Sequence, residues 1–120
     1  MQAFDLLDLQ EEHGRSGSAY LEFLRVSSMS AGLYVLPAGG DDPQQPHAED
    51  EIYVVMRGRG RFLVGEEDRA VAVGTVLFVA TGAVHRFHQI TEDLHLIVVF
   101  APAEDAVSST APVTTREVTR

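Results

Sequence analysis

The strongest constraint in this chain is the period of its apolar residues, which is two and not 3.6. Short runs rich in β-branched and aromatic residues recur at AYLEFLRV (19–26), AGLYVLPA (31–38), EIYVVM (51–56), GRFLVG (60–65), AVAVG (70–74), VLFVA (76–80), VHRFHQI (84–90) and LHLIVVF (94–100). Gly, Pro, Asp and Ser clusters separate them, which predicts an all-β sandwich or barrel. GEEDR (65–69) reads as a hairpin turn and GRG (58–60) as a tight corner between two strands. No segment of ten or more residues carries a convincing helical period. FDLLDLQEEH (4–13) comes nearest, and we expect an irregular or strand-like start there in preference to a helical turn.

With 120 residues there is room for one domain and one core. A formal charge of −9 disfavours phosphate backbones and anionic lipid surfaces, so neither nucleic acid nor membrane is an expected partner. The chain has no cysteine. Disulfides, thiolate metal sites and thiol nucleophiles are therefore all excluded, and the composition suits a reducing cytoplasm, where we expect the protein. The acidic start MQAFDLLDLQEEH has no basic region followed by a long apolar run, so no secretory signal is expected. Ser27, Ser28 and Ser30 have no His–Asp partners in the sequence around them, which argues against covalent hydrolysis.

Chemistry concentrates in two stretches. In PQQPHAEDEIYVVMRG, Pro46 before and IYVV after favour a strand over a helix. On an extended chain Glu51, Tyr53 and Val55 then share one face. A carboxylate leading an apolar inward face is costly unless something neutralises it, and a metal ion held also by imidazoles would do so. In GTVLFVATGAVHRFHQI the same parity aligns His85, Phe87 and Gln89, with Arg86 and His88 pointing away. Read singly, HAED is more simply a solvated acidic loop and His85 a hydrogen-bonded core or surface histidine. Tyr34, Tyr53, Phe62, Phe78 and Phe87 are inward aromatic candidates. Arg57, Arg59 and Arg61 cluster at the glycine corner, where solvation is the simpler reading.

Taken together the two stretches resemble the cupin family. Its first motif is glycine, five residues, His-x-His, three or four residues, Glu, six residues, glycine. Here Gly39, Gln45, His47, Glu51 and Gly58 stand at those spacings. The second motif is glycine, five residues, Pro-x-Gly, two residues, His, three residues, Asn, and Gly74, Ala80, Gly82, His85 and Gln89 follow it. Gln45 replaces the first histidine, Ala80 the proline and Gln89 the asparagine. The resemblance implies a double-stranded β-helix (jelly-roll) barrel with a divalent metal (Fe, Mn, Ni or Zn) held by His47, Glu51 and His85. Gln45 would be a weaker fourth ligand or would orient a water, and Tyr53, Phe87 and Gln89 would line the pocket.

Two histidines and one carboxylate suit a ferrous oxygenase and also catalytic zinc. The expected function is a metal-dependent enzyme of oxygenase type acting on a small organic molecule. A non-catalytic small-ligand module and a sugar isomerase or epimerase are the alternatives. Residues 1–18 are expected as an N-terminal arm with an edge strand as one option, 19–102 as the barrel, and 103–120 as a tail that is flexible or adds a strand through VTTREV. Small cupins commonly pair, so a homodimer is expected.

Overall fold

The computed structural model describes residues 1–43, 48–104 and 113–115. Among these residues one helix, α1 (Leu6–Ser16), precedes seven strands: β1 (Tyr20–Val26), β2 (Met29–Leu36), β3 (Asp50–Val64), β4 (Glu67–Ala72), β5 (Val76–Val79), β6 (His85–Ala101) and β7 (Val113–Thr115). Hydrogen bonds join them in the order β4-β3-β6-β2-β1-β7, with β5 also on β3. Every pair is antiparallel except β1 with β7. The expected hairpin at 65–69 is present, with β3 ending at Val64 and β4 starting at Glu67.

Two expected breaks are absent. EIYVVM and GRFLVG form one strand of 15 residues, and VHRFHQI and LHLIVVF form one strand of 17. The glycine corner and the polar TED (91–93) are irregularities inside a continuous ladder, with register shifts at 55–57, 57–59 and 59–61. Bulges of this kind bend a strand without ending it. The first half of β3 thus pairs with β5 and the second with β4, while β6 follows along its whole length. Gly58 permits the bend. Its φ is +96°, and a Cβ there would lie 2.1 Å from the Asp93 carbonyl oxygen. On the outer surface Arg59 pairs with Glu92 at 3.0 Å and Arg61 with Asp68 at 3.1 Å, so those arginines form exposed ion pairs.

One apolar cluster draws residues from all of β1–β6, among them Tyr20, Tyr34, Tyr53, Val71, Leu77 and Leu96, which places it inside the curled sheet. The outward face of β1 and β2 is buried too. Leu9 of α1 sits there with Phe23, Ala31 and Leu33. Residues 6–16 are therefore helical, which corrects the strand-like start expected for 4–13. Asp5 stands at the N-cap position, Asp8 in the first turn, His13 and Arg15 in the last, and Gly17 at φ +73° ends the helix. These charges complement the helix dipole, and the glycine takes the left-handed closing conformation. At the other end of the chain β7 runs parallel to β1 of the same chain, with Tyr20 opposite Val113. Among the described residues no helix is long and apolar enough to cross a membrane.

Replacing Gly58 by alanine should cost about 2–4 kcal/mol, since it adds both backbone strain and a collision. Urea denaturation should show a lowered midpoint at an unchanged slope.

Candidate functional site

The interior parity read from the sequence brings two chemical groups together. Glu51, Tyr53 and Val55 are buried and their neighbours Asp50 and Ile52 exposed, as alternation on β3 requires. His85 and Phe87 are buried at the start of β6. In the ladder Glu51 lies opposite Phe100, whereas His85 lies opposite Val64, so the two meet across the interior and not along one strand pair. His85 Nε2 is 2.7 Å from Glu51 Oε1, with both side chains almost wholly buried. The Tyr53 hydroxyl is 3.1 Å from the same nitrogen.

The other ring nitrogen fixes the imidazole. Nδ1 lies 2.7 Å from the Ala83 carbonyl oxygen, which can only accept, so Nδ1 carries a hydrogen. Nε2 is thereby left to face the carboxylate and the phenol, either as the second N–H of an imidazolium or as a lone pair. Burial pushes the His85 pKa down. The Glu51 hydrogen bond, the Ala83 carbonyl and the charges of Glu51 and Asp42 push it up and prevail, so it stands above the ordinary imidazole value. Around this pair the walls are aromatic. Tyr53 meets Phe87 edge-on at 5.0 Å and Phe62 at 5.6 Å, and Phe62 and Phe87 are 4.5 Å apart.

Asp42 is a residue the sequence reading missed. It is buried, and its two oxygens serve two elements: Oδ1 accepts the Tyr34 hydroxyl at 2.8 Å and Oδ2 accepts the Phe87 N–H at 3.0 Å. The Gly39 N–H also donates to the Ile90 carbonyl at 2.8 Å. The loop after β2 is thus fastened along β6 beside His85. Nothing in the run GGDDP distinguishes Asp42 from Asp41, so only the folded register could reveal this role. On the opposite side Asp50 Oδ1 accepts the Thr81 N–H at 2.8 Å and steadies the turn that leads into His85.

Several expected positions lie elsewhere. Gln89 is exposed, with φ +46°, so the alternation that buries His85 and Phe87 fails there. The family's asparagine takes such a left-handed conformation more easily than glutamine does, which makes this a backbone position and not a wall of the barrel interior. Phe78 points outward and is 65% exposed. His88 faces away and pairs with Asp68 at 3.0 Å. His47 and Gln45 lie outside the described residues. Among the described residues no three acidic, histidine or cysteine side chains gather as a ligand set.

The described half of the site does fit a metal. A ligating imidazole normally donates its second N–H to a carbonyl or carboxylate, as Nδ1 does here. Glu51 Oε2 is buried and has no hydrogen-bond partner among the described residues, a costly state for a carboxylate oxygen unless a cation is near.

A curled antiparallel barrel with a histidine–carboxylate pair inside it defines the cupin class of architecture. The sequence profile of the Cupin domain matches residues 32–100, and the chain belongs to this family. It is 50% identical over 104 residues to uncharacterized protein SCO3923 of Streptomyces coelicolor, covering 87% of this chain and 99% of that one. The crystal structure of TT1209 from Thermus thermophilus superposes with a TM-score of 0.72 at 28% identity, over 86% of this chain and 99% of that one. BH2720 from Bacillus halodurans gives 0.73 at 18% identity, over 95% and 90%, and shows the shared fold alone.

Glu51→Gln should lower the His85 titration midpoint, because it removes the charge that raises it and leaves burial in place. Imidazole NMR of apoprotein reads this directly. The sign for stability follows from the raised folded value. The contribution of the pair is fully present below the unfolded pKa of about 6.5 and is lost as pH rises through the folded one.

Proposed function

We propose that this barrel is a metal-dependent enzyme of oxygenase type acting on a small organic molecule. The observation that carries the reading is the His85–Glu51 pair. One ring nitrogen is tied to a backbone carbonyl, the other is aimed at a carboxylate, and the surroundings are aromatic. His47, Glu51 and His85 would hold the ion, with Gln45 as a weaker fourth donor or as the group that orients a water. When bound, a ferrous ion at two histidines and a carboxylate supplies open positions for dioxygen and substrate.

The residues of the chain have separate tasks. His85 keeps Nε2 available because Ala83 holds Nδ1. The Tyr53 hydroxyl reaches that nitrogen and can hold a proton beside the reacting molecule. Phe62 and Phe87 exclude water and favour a partly apolar substrate over a highly charged one. Asp42 holds the loop ahead of His47 against β6.

Elemental analysis after loading with ferrous iron, zinc or nickel should find about one ion per chain, as a single site requires. Oxygen uptake with ferrous iron over small aromatic and diketone compounds should follow, and His85→Ala should abolish both. Tight ligand binding without turnover would favour the non-catalytic module instead. Protein that takes up none of the three metals would remove the site assignment.

We also infer a homodimer in solution. Ile52 and Phe78 are cross-strand partners on the outside of β3 and β5, 40% and 65% exposed, and an apolar cleft there continues over Val99 and Ala101. Light scattering should give twice the chain mass at micromolar concentration, and Phe78→Asp should halve it. A monomeric mass for the unaltered chain would refute the pairing.

A further inference from the structure

Tyr20 carries a buried polar group, its hydroxyl, that neither the fold nor the site so far uses. Its side chain lies inside the barrel, edge-on to Tyr34 at 6.2 Å and to Phe100 at 6.4 Å. The residue is 5% exposed, and its hydroxyl has no hydrogen-bond partner among the described residues. Phenylalanine would fill the same space without burying an unpaired hydroxyl, so packing does not account for a tyrosine here.

The neighbouring strand makes room for this ring. A Cβ on Gly32, in the middle of β2, would lie 2.1 Å from Tyr20 Cζ and 2.3 Å from its oxygen. The hydroxyl end of the ring therefore rests on bare backbone, at a position where a glycine weakens the strand. Register gives its level in the barrel. Gly32 is opposite Val98, Val98 is opposite Tyr53, and Phe100 is opposite Glu51. The hydroxyl is thus brought level with Tyr53, one inward-facing residue along β3 from Glu51.

Two of the acidic side chains near it, those of Glu22 and Glu51, are engaged elsewhere. Arg25 binds Glu22 through Nε at 3.1 and 3.0 Å and through Nη2 at 2.6 Å, and Nη2 also donates to the Glu104 carbonyl at 2.7 Å. Glu51 faces His85. Burial, followed by the charges of Glu104, Glu22 and Glu51, keeps the phenol protonated well past its ordinary range, with Arg25 opposing weakly. The group is therefore a donor in search of an acceptor, and not a base.

We propose that Tyr20 is a ligand-positioning residue, whose hydroxyl donates a hydrogen bond to a carbonyl or carboxylate oxygen of the small organic molecule bound beside Glu51 and His85. This rests on reading the barrel interior as the binding site, and it adds the chemical class of the group that is recognised. Neither proton nor electrons are transferred; the bond orients the ligand.

Two measurements test it. Thermal unfolding of apoprotein compares Tyr20→Phe with Tyr34→Phe, whose hydroxyl is bonded to Asp42. Loss of an unpaired hydroxyl should raise the midpoint by about 2–5 °C, whereas Tyr34→Phe should lower it. Calorimetric titration with pyruvate, acetylacetone and benzoate, on both metal-loaded protein and apoprotein, should show at least one probe binding the unaltered chain. Tyr20→Phe should bind that probe about fivefold to tenfold more weakly. Equal affinity, a midpoint lowered or left unchanged, or no binding by any probe would each overturn the proposal. Tyrosine-dependent binding to protein that takes up no metal would uphold it while removing the metal reading.

Discussion

The continuous pairing of β3 with β6 is the constraint on which everything else depends. Strands of 15 and 17 residues would run straight past any small core unless they bent together. They bend where Gly58 faces the Asp93 carbonyl at a distance that leaves no room for a side chain. Because the ladder survives the bend, each strand supplies both halves of the barrel. Glu51 comes from one half and His85 from the other, and closing the barrel is what makes them neighbours. The site is therefore a product of closure, with no single hairpin able to assemble it.

The interior around that pair is largely apolar, and this sets the character of its polar groups. Inside such a volume carboxylates, an imidazole and three phenols interact more strongly than they would in water. The chain meets part of the cost internally, through Ala83 on the ring and Asp42 on the Tyr34 hydroxyl. Glu51 Oε2 and the Tyr20 hydroxyl are left over. Both are buried within the barrel. Structures that retain buried polar atoms of this kind commonly do so for function, because apolar replacements would be more stable.

How much could be read from residues alone varies with how local the cause is. Alternation on β3 is a property of neighbouring residues, so the inward set Glu51, Tyr53 and Val55 was legible. On β2 the pattern is blurred because α1 covers the second face, and both sides of the strand are buried. The helix itself was obscured by its brevity: a single fully buried residue, Leu9, leaves little periodic signal over 11 residues. Its bounding signals, Asp5 and Gly17, were present but unsupported by a long apolar stripe. Gln89 was misplaced for a different reason. Parity assumes extended backbone, and one residue at φ +46° reverses it. The family motifs located His85 and Glu51 by spacing, whereas Asp42 acts through contacts made some 45 residues away in sequence.

The Asp42 bond to Phe87 has one more consequence. The Phe87 N–H lies on the side of β6 turned away from β3, and a loop carboxylate occupies it where a strand would otherwise pair. Its exchange with solvent deuterium is then governed by opening of that loop, while amides in the β3–β6 ladder exchange only when the barrel itself opens. A single backbone hydrogen thus provides a clock for release of that loop from β6, separate from the clock of the fold.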